Sequence, residues 1–273
     1  MHKINKLSNE IEEAKEIGLK HRINVSDFND EFDRIAILFN SMMDKLENTF
    51  EEQKVFVSNA SHELRTPLTA LKGHLSMIKR WGKNDMNRME KSLDICIDET
   101  DRLIKISNEL LGLMRAEREF VALDEIKEIK VLPIITDCIE HYKILNKNVV
   151  FNVDVDKEQR IKILKEHLKQ LVIIFIDNAI KYNNKDICNI DIKISENNEK
   201  VNLIIIDNGI GIPEDDIPYV LNKFYKVDKS RRNNNSYGIG LSIANQIIKN
   251  YNGNILISSK ENIYTKIQIE FKR

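Results

Sequence analysis

Over residues 39–78, and again over 93–114, the chain places a mostly apolar side chain at every third or fourth position, the period of long amphipathic helices. Residues 34–81 read as one helix. Phe39, Met42, Leu46, Thr49, Gln53, Phe56 and Ala60 follow a 3-4 alternation, a heptad seam with polar interruptions. The stripe shifts phase after Ala60 and continues as Leu64, Leu68, Leu71, Leu75 and Ile78. Gly82 is the expected stop, with Lys83 to Asp85 as the turn. A second helix over 86–118 keeps the same spacing at Leu93, Ile97, Thr100, Ile104, Ser107, Leu111 and Met114. Two such helices joined by a short turn make a hairpin with an uncovered apolar stripe. Two copies closing into a four-helix bundle would cover it, so a homodimer is expected. A bundle within one chain would need more helices than this half supplies.

Composition narrows the partners. A length of 273 residues suggests about two domains. Forty-two basic and 43 acidic residues give a net charge of −1, which excludes a general attraction to nucleic acid or anionic membrane. Nine Gly and four Pro are too few for a loop-rich all-β fold. The three cysteines, Cys96, Cys138 and Cys188, are odd in number and widely spaced, so no disulfide framework or cysteine-based zinc module is expected. The longest apolar run, Leu171 to Ile176, is far short of the ~20 residues of a membrane helix. The polar N-terminus resembles no secretory signal. The chain reads as soluble and cytosolic.

After residue 120 short Ile/Val-rich runs alternate with helical stretches. Strands are expected at Val149–Val155, Ile187–Ser195, Val201–Asp207, Asn254–Ser259 and Tyr264–Phe271, and helices at Pro133–Leu145, Ile163–Tyr182 and Leu241–Asn250. Adjacent strands without an intervening helix argue for a mixed, largely antiparallel sheet with helices packed on it. The fold class is therefore α plus α/β: a dimerising helical hairpin followed by an α/β sandwich.

Helix-wheel geometry separates the histidines. At 100° per residue His62 lies about 180° from Leu71 and faces away from the seam, whereas His74 lies about 60° from Leu71, at the core edge. Asn59 and Thr66 share the exposed face of His62, Glu63 is adjacent, and Pro67 follows inside the helix at a cost of about 3 kcal/mol. Ser61-His62-Glu63-Leu64-Arg65-Thr66-Pro67-Leu68 closely resembles the phosphoacceptor box of bacterial sensor histidine kinases. That resemblance implies that Nε2 of His62 attacks the γ-phosphate of ATP while Glu63 holds the other ring nitrogen and accepts its proton. It also implies that Thr66 positions a water for dephosphorylation of a partner response regulator.

Neither a P-loop nor Gly-x-Gly-x-x-Gly is present. Four other elements occur in order: Asp177-Asn178-Ala179-Ile180-Lys181-Tyr182, Asp207-Asn208-Gly209-Ile210-Gly211-Ile212-Pro213, Lys223-Phe224-Tyr225-Lys226 and Tyr237-Gly238-Ile239-Gly240-Leu241. Asn178 offers an uncharged oxygen to Mg²⁺, and Lys181 shares its face and reaches a phosphate. Tyr182 can cover the sugar or base. Asp207, at a strand end, can accept a hydrogen bond from the adenine amino group. Gly209 and Gly211 let the chain turn past the base, and Gly238 and Gly240 bring backbone N–H groups to the phosphates at a helix N-terminus. Singly each motif is weak, since Asp-Asn-Gly is a common turn. Their order and spacing, taken with the His62 box, resemble the ATP domain of the same kinases, which shares its fold with gyrase and Hsp90 (the GHKL, or Bergerat, type). The resemblance adds Ile212, Phe224, Lys226, Ile239 and Leu241 to the nucleotide contacts, with ATP and Mg²⁺ as cofactors.

Two positions depart from the family pattern. Ile174 stands where an Asn is usual, and Ser236 where a Gly is usual, which would stiffen the hinge of a lid spanning roughly 213–237. That lid carries Lys226, Lys229, Arg231 and Arg232, of which Lys226 is the expected countercharge to the triphosphate. The segment Asp30-Glu31-Phe32-Asp33 with Phe39-Asn40-Ser41-Met42-Met43-Asp44-Lys45-Leu46 resembles the second helix of a HAMP relay module, which normally follows a transmembrane helix. The expected order is thus a HAMP-like segment over 1–50, a dimerisation and phosphotransfer hairpin over 51–120 and an ATP-binding domain over 121–273. The whole reads as the cytoplasmic fragment of a cell-membrane sensor that autophosphorylates His62 and passes the phosphoryl group to an Asp of a response regulator. A non-catalytic ATP-gated scaffold and a fragment acting mainly as a phosphatase stay open, because of Ile174 and Ser236. Labelling with γ-phosphate separates the first from the second, and decay of a phosphorylated regulator tests the third.

Overall fold

The computed structural model describes residues 10, 12–13, 18–25, 31–81, 85–118, 125–197, 199–227 and 236–272. The expected turn at Gly82 to Asn84, Asp30 of the relay segment, and Lys229, Arg231 and Arg232 of the lid lie outside them. The chain divides into two compact units, residues 1–65 and 66–273.

In the first unit the principal element is helix α1, Glu31–Trp81, which runs on into the second. It begins three residues before the expected start, because Glu31 and Asp33 place negative charge in its first turn. A segment without regular structure, residues 21–25, packs on it. Asn40 holds both backbone groups of Ile23, its Oδ1 accepting from the N–H and its Nδ2 donating to the carbonyl, each at 2.8 Å. Ile23 is buried, as are Ala36 and Met43. Arg22 pairs with Asp44 at 2.8 Å and with Glu47 at 2.6 Å.

In the second unit the end of α1 and α2, Met86–Arg118, form the hairpin. Cys96 Sγ lies 4.0 Å from the Leu71 carbonyl. Trp81 sits at the hairpin tip with the guanidinium groups of Arg80 and Arg88 at 5.0 and 5.7 Å from its ring. Helix α2 has two apolar stripes. Leu93, Ile97, Ile104, Leu111 and Met114, the expected seam, are exposed. Ile106, Leu113 and Ala116 are buried.

Then come β1 (Glu128–Lys130), α3 (Val131–Leu145), β2 (Val149–Asp154), β3 (Arg160–Lys162), α4 (Lys165–Lys181), β4 (Cys188–Glu196), β5 (Lys200–Asp207), α5 (Gly240–Asn250), β6 (Asn254–Lys260) and β7 (Tyr264–Lys272). Helix α3 starts at Val131 rather than at Pro133, since a proline in the first turn removes no intrahelical bond. The main sheet has the order β2-β4-β5-β7-β6, with β2 parallel to β4 and all other pairs antiparallel. A small β1-β3 ladder stands apart. Alternate strand residues (Ile190 and Ile192, Leu203 and Ile205, Ile267 and Ile269) are buried beneath the helices. From α4 the layer receives Leu168, Leu171, Val172, Phe175, Ile176 and Ala179, the apolar side of a 3.6-residue period. From α5 it receives Ile243, Ala244, Ile247 and Ile248.

The second stripe of α2 packs on α5. A Cβ at Gly112 would meet Ile243 Cδ1 at 3.6 Å, and Asn250 Nδ2 donates to the Ala116 carbonyl at 2.8 Å. Glu117 pairs with Lys223.

Candidate nucleotide site and phosphoacceptor helix

The last turn of α4 carries Asn178 and Lys181, with Tyr182 as its C-cap. The Asn178 carbonyl accepts the Tyr182 N–H at 2.9 Å, as a helix end requires. The Asn178 side-chain Nδ2 is buried with no hydrogen-bond partner. An orphaned buried amide costs about 1–3 kcal/mol unless a water or a ligand completes it. Burial first, and then Lys105 and Lys226, lower the Lys181 pKa to about 8. The Tyr182 hydroxyl hydrogen-bonds Ser236 Oγ at 2.9 Å. The residue that departs from the family pattern thus ties the segment before α5 to the end of α4.

Asp207 ends β5 beside this helix turn. Its Oδ1 accepts the Gly209 N–H at 2.8 Å, yet burial raises its pKa to about 6. Gly209 is required by space: a Cβ there would sit 2.6 Å from the Tyr182 carbonyl oxygen and 2.8 Å from Asp207 Oδ1. The Tyr182 carbonyl also accepts the Ile210 N–H at 2.9 Å, stitching the loop to α4. Gly211 and Ile212 continue past β6, where the Ile212 N–H donates to Ser259 Oγ at 2.8 Å.

The third and fourth motifs are joined by the backbone. The Phe224 N–H donates to the Gly238 carbonyl at 2.8 Å, and both residues have positive φ, 64° and 71°. A Cβ at Gly238 would collide with the Tyr225 carbonyl. Tyr237 is 1% exposed, with Lys226 Nζ and the Arg102 guanidinium each 5.8 Å from its ring centre. Its hydroxyl donates to the Arg102 carbonyl at 3.2 Å. Ile239 is buried, and Gly240 and Leu241 open α5. Ile174, the other departure, is apolar support for that opening: its Cγ2 lies 3.5 Å from where a Gly240 Cβ would be.

On α1, His62 and Thr66 are exposed, Glu63 is half-buried and Pro67 is buried. His74 is half-buried and its Nδ1 has no hydrogen-bond partner. The wheel therefore separated the two histidines as they lie.

Asn178, Lys181, Tyr182, Asp207 and Gly209 converge around the α4 C-terminus, and Phe224, Lys226, Gly238, Ile239, Gly240 and Leu241 around the start of α5. Several neighbours carried no sequence signal: Ser259 under Ile212, Arg102 on Tyr237, Tyr142, whose hydroxyl donates to Asp177 at 2.5 Å, and the α2 residues Lys105 and Glu109. All are contacts between residues far apart in the chain.

A five-stranded sheet with these four motifs on its rim has the layout of the gyrase–Hsp90 fold, here joined to a helical hairpin. Residues 164–273 match the histidine kinase-, DNA gyrase B- and HSP90-like ATPase family, and residues 52–119 match the His Kinase A (phospho-acceptor) domain. The chain is 40% identical over 270 residues to the signal transduction histidine-protein kinase ArlS of Staphylococcus aureus (strain USA300), covering 97% of this chain and 59% of that protein. The solved structure of histidine kinase ThkA in complex with response regulator protein TrrA aligns with a TM-score of 0.64 at 21% identity, over 84% of this chain and 66% of that one. Acinetobacter baumannii histidine kinase AdeS aligns with a TM-score of 0.58 at 23% identity, over 77% of this chain and 97% of that one. The chain belongs to the bacterial sensor histidine kinases. It spans 59% of the length of the ArlS relatives, and among the described residues no helix is long and apolar enough to cross a membrane.

Proposed function

We propose that this chain is the signalling part of a two-component sensor: it transfers the γ-phosphoryl group of ATP to Nε2 of His62 and then to an Asp of a response regulator. The observation that carries the reading is the orphaned Asn178 amide, buried in the last turn of α4. Its nitrogen can donate to a phosphate oxygen and its Oδ1 can ligate Mg²⁺, which when bound neutralises charge on the phosphates. Lys181 and Lys226 add countercharge. Tyr182, held by Ser236, walls the sugar side. Asp207 accepts from the adenine amino group, while Gly209, Gly211 and Ile212 border the base and Gly238, Ile239, Gly240 and Leu241 present backbone N–H groups to the phosphates.

At the acceptor, the Nε2 lone pair forms the N–P bond as the bond from the γ-phosphorus to the bridging oxygen breaks and ADP leaves. Glu63 takes the proton of the other ring nitrogen. Thr66, one turn on, orients a water for hydrolysis of the regulator's aspartyl phosphate.

The exposed seam Leu93, Ile97, Ile104, Leu111 and Met114 supports a homodimer closed as a four-helix bundle. The Ile23 strap on α1 supports a HAMP-like segment over 1–50, ahead of a phosphotransfer hairpin over 51–120 and an ATP domain over 121–273. A HAMP-like segment, which normally follows a transmembrane helix, supports a place on the cytoplasmic side of a membrane protein.

The test is incubation with γ-labelled ATP and Mg²⁺. Wild type acquires acid-labile label, His62→Gln acquires none and still binds ATP. Label that persists in His62→Gln and disappears in His74→Gln refutes the assignment.

A further inference from the structure

Glu109 lies on α2, outside every motif of the nucleotide site, but on the face that docks against it. Two of its neighbours on that face, Ile106 and Leu113, are buried. A Cβ at Gly112 would meet Ile243 Cδ1 of α5 at 3.6 Å and Gln170 Nε2 of α4 at 3.9 Å, ordinary contact distances that place α2 against both helices. Two turns before Glu109, Arg102 accepts the Tyr237 hydroxyl at its carbonyl and lays its guanidinium 5.8 Å from the same ring, which Lys226 approaches at the same distance. Helix α2 thus borders the phosphate end of the site.

Glu109 lies within the electrostatic reach of three lysines, Lys105 of α2, Lys181 of α4 and Lys226, and of one other carboxylate, Asp177. The Glu109 carboxylate is half-buried and interacts with all three lysines. Burial raises its pKa and the lysines oppose that rise. Asp177 is engaged by the Tyr142 hydroxyl, whereas Glu109 is acted on by the three lysines and by Asp177.

We propose that Glu109 is a specificity-determining residue of the nucleotide site, a carboxylate that competes with the outer phosphates for Lys181 and Lys226, while Lys105 beside it attracts them. The pair sets how strongly the site favours a triphosphate over a shorter chain. This rests on the nucleotide reading above and goes beyond it by giving the hairpin a direct part in phosphate recognition.

The consequence is a pair of opposite effects from adjacent turns of one helix. Glu109→Gln keeps size and packing and removes the competitor, so a non-hydrolysable ATP analogue binds about five-fold tighter, the scale of one partly screened charge pair. ADP gains less and adenosine nothing. Lys105→Gln weakens the analogue and again leaves adenosine unchanged. The experiment is calorimetric titration of the 273-residue chain with adenosine, ADP and the analogue, in Mg²⁺, for wild type and both variants. An effect of Glu109→Gln that is equal for all three ligands, an unchanged affinity, or a shift of both variants in one direction overturns the proposal, because damage to packing moves the two alike. A wild type that binds none of the ligands refutes the nucleotide site itself.

Discussion

Asp207→Asn should make the protein more stable and its nucleotide site worse, with the gain in stability set by pH. Burial lifts the Asp207 pKa from 3.8 to about 6, against hydrogen bonds from Gly209 and Thr265 that favour the anion. A folded-state value above the unfolded one means that folding favours the protonated acid. The penalty on the carboxylate therefore begins near pH 4, grows to about pH 6 and is complete above pH 7. At face value the shift corresponds to about 3 kcal/mol. Asparagine keeps an oxygen for the Gly209 N–H but also places an amide in a partly buried site, so a net gain of about 1–2 kcal/mol is expected. That is about 3–6 °C in melting temperature for a unit of this size. Melting followed by circular dichroism at pH 5, 6, 7 and 8 should show the variant's advantage widening up to pH 7 and then levelling. Binding should move the other way, with a loss of preference for ATP over GTP, because an amide can present a donor where adenine needs an acceptor. A stability difference that is flat with pH, or an unchanged ATP/GTP ratio, would refute the reasoning.

Lys181, lowered to about 8 by burial and by Lys105 and Lys226, should lose its proton as pH rises from 7 to 9. Affinity for the ATP analogue should then fall several-fold over that range while adenosine affinity stays level in the same titrations. Tyr182→Phe and Ser236→Ala remove the two ends of one hydrogen bond, so each should raise the KM for ATP about two- to five-fold and the double variant should add little; additive losses would show that the bond is not what matters. Thr66→Ala should slow decay of a phosphorylated regulator several-fold and keep most labelling of His62, whereas equal loss of both activities would leave Thr66 as part of the Pro67 bend alone.

The helices were legible because their signal is local. Leu93, Ile97, Ile104 and Leu111 declare a stripe in which each lies within about two turns of the next. Periodicity does not say what covers a stripe, and so the burial of Ile106, Leu113 and Ala116 against α5 was not readable. The five sheet strands were visible as alternations, but β1 and β3, three residues each, are too short to alternate. At the site, Asn178, Asp207 and the glycines could be named because a motif fixes residue types at short spacing. The Tyr182–Ser236 bond spans 54 residues, and Ser236 alone reads only as a missing glycine. Glu109 and Lys105 look like two more charges on a solvated helix until the fold sets α2 against Lys181.

Trp81 is the single tryptophan of the chain, and it is 41% exposed beside Arg80 and Arg88 at the end of the hairpin. Its fluorescence therefore reports on the hairpin tip, an end that carries none of the four nucleotide motifs. Guanidinium groups near an indole respond to small changes in local geometry through the cation–π contact. A change in emission on adding nucleotide would record a rearrangement carried from the α/β sandwich to the hairpin tip, read without a label. The three native cysteines, all buried, leave thiol chemistry free for a second, independently placed reporter.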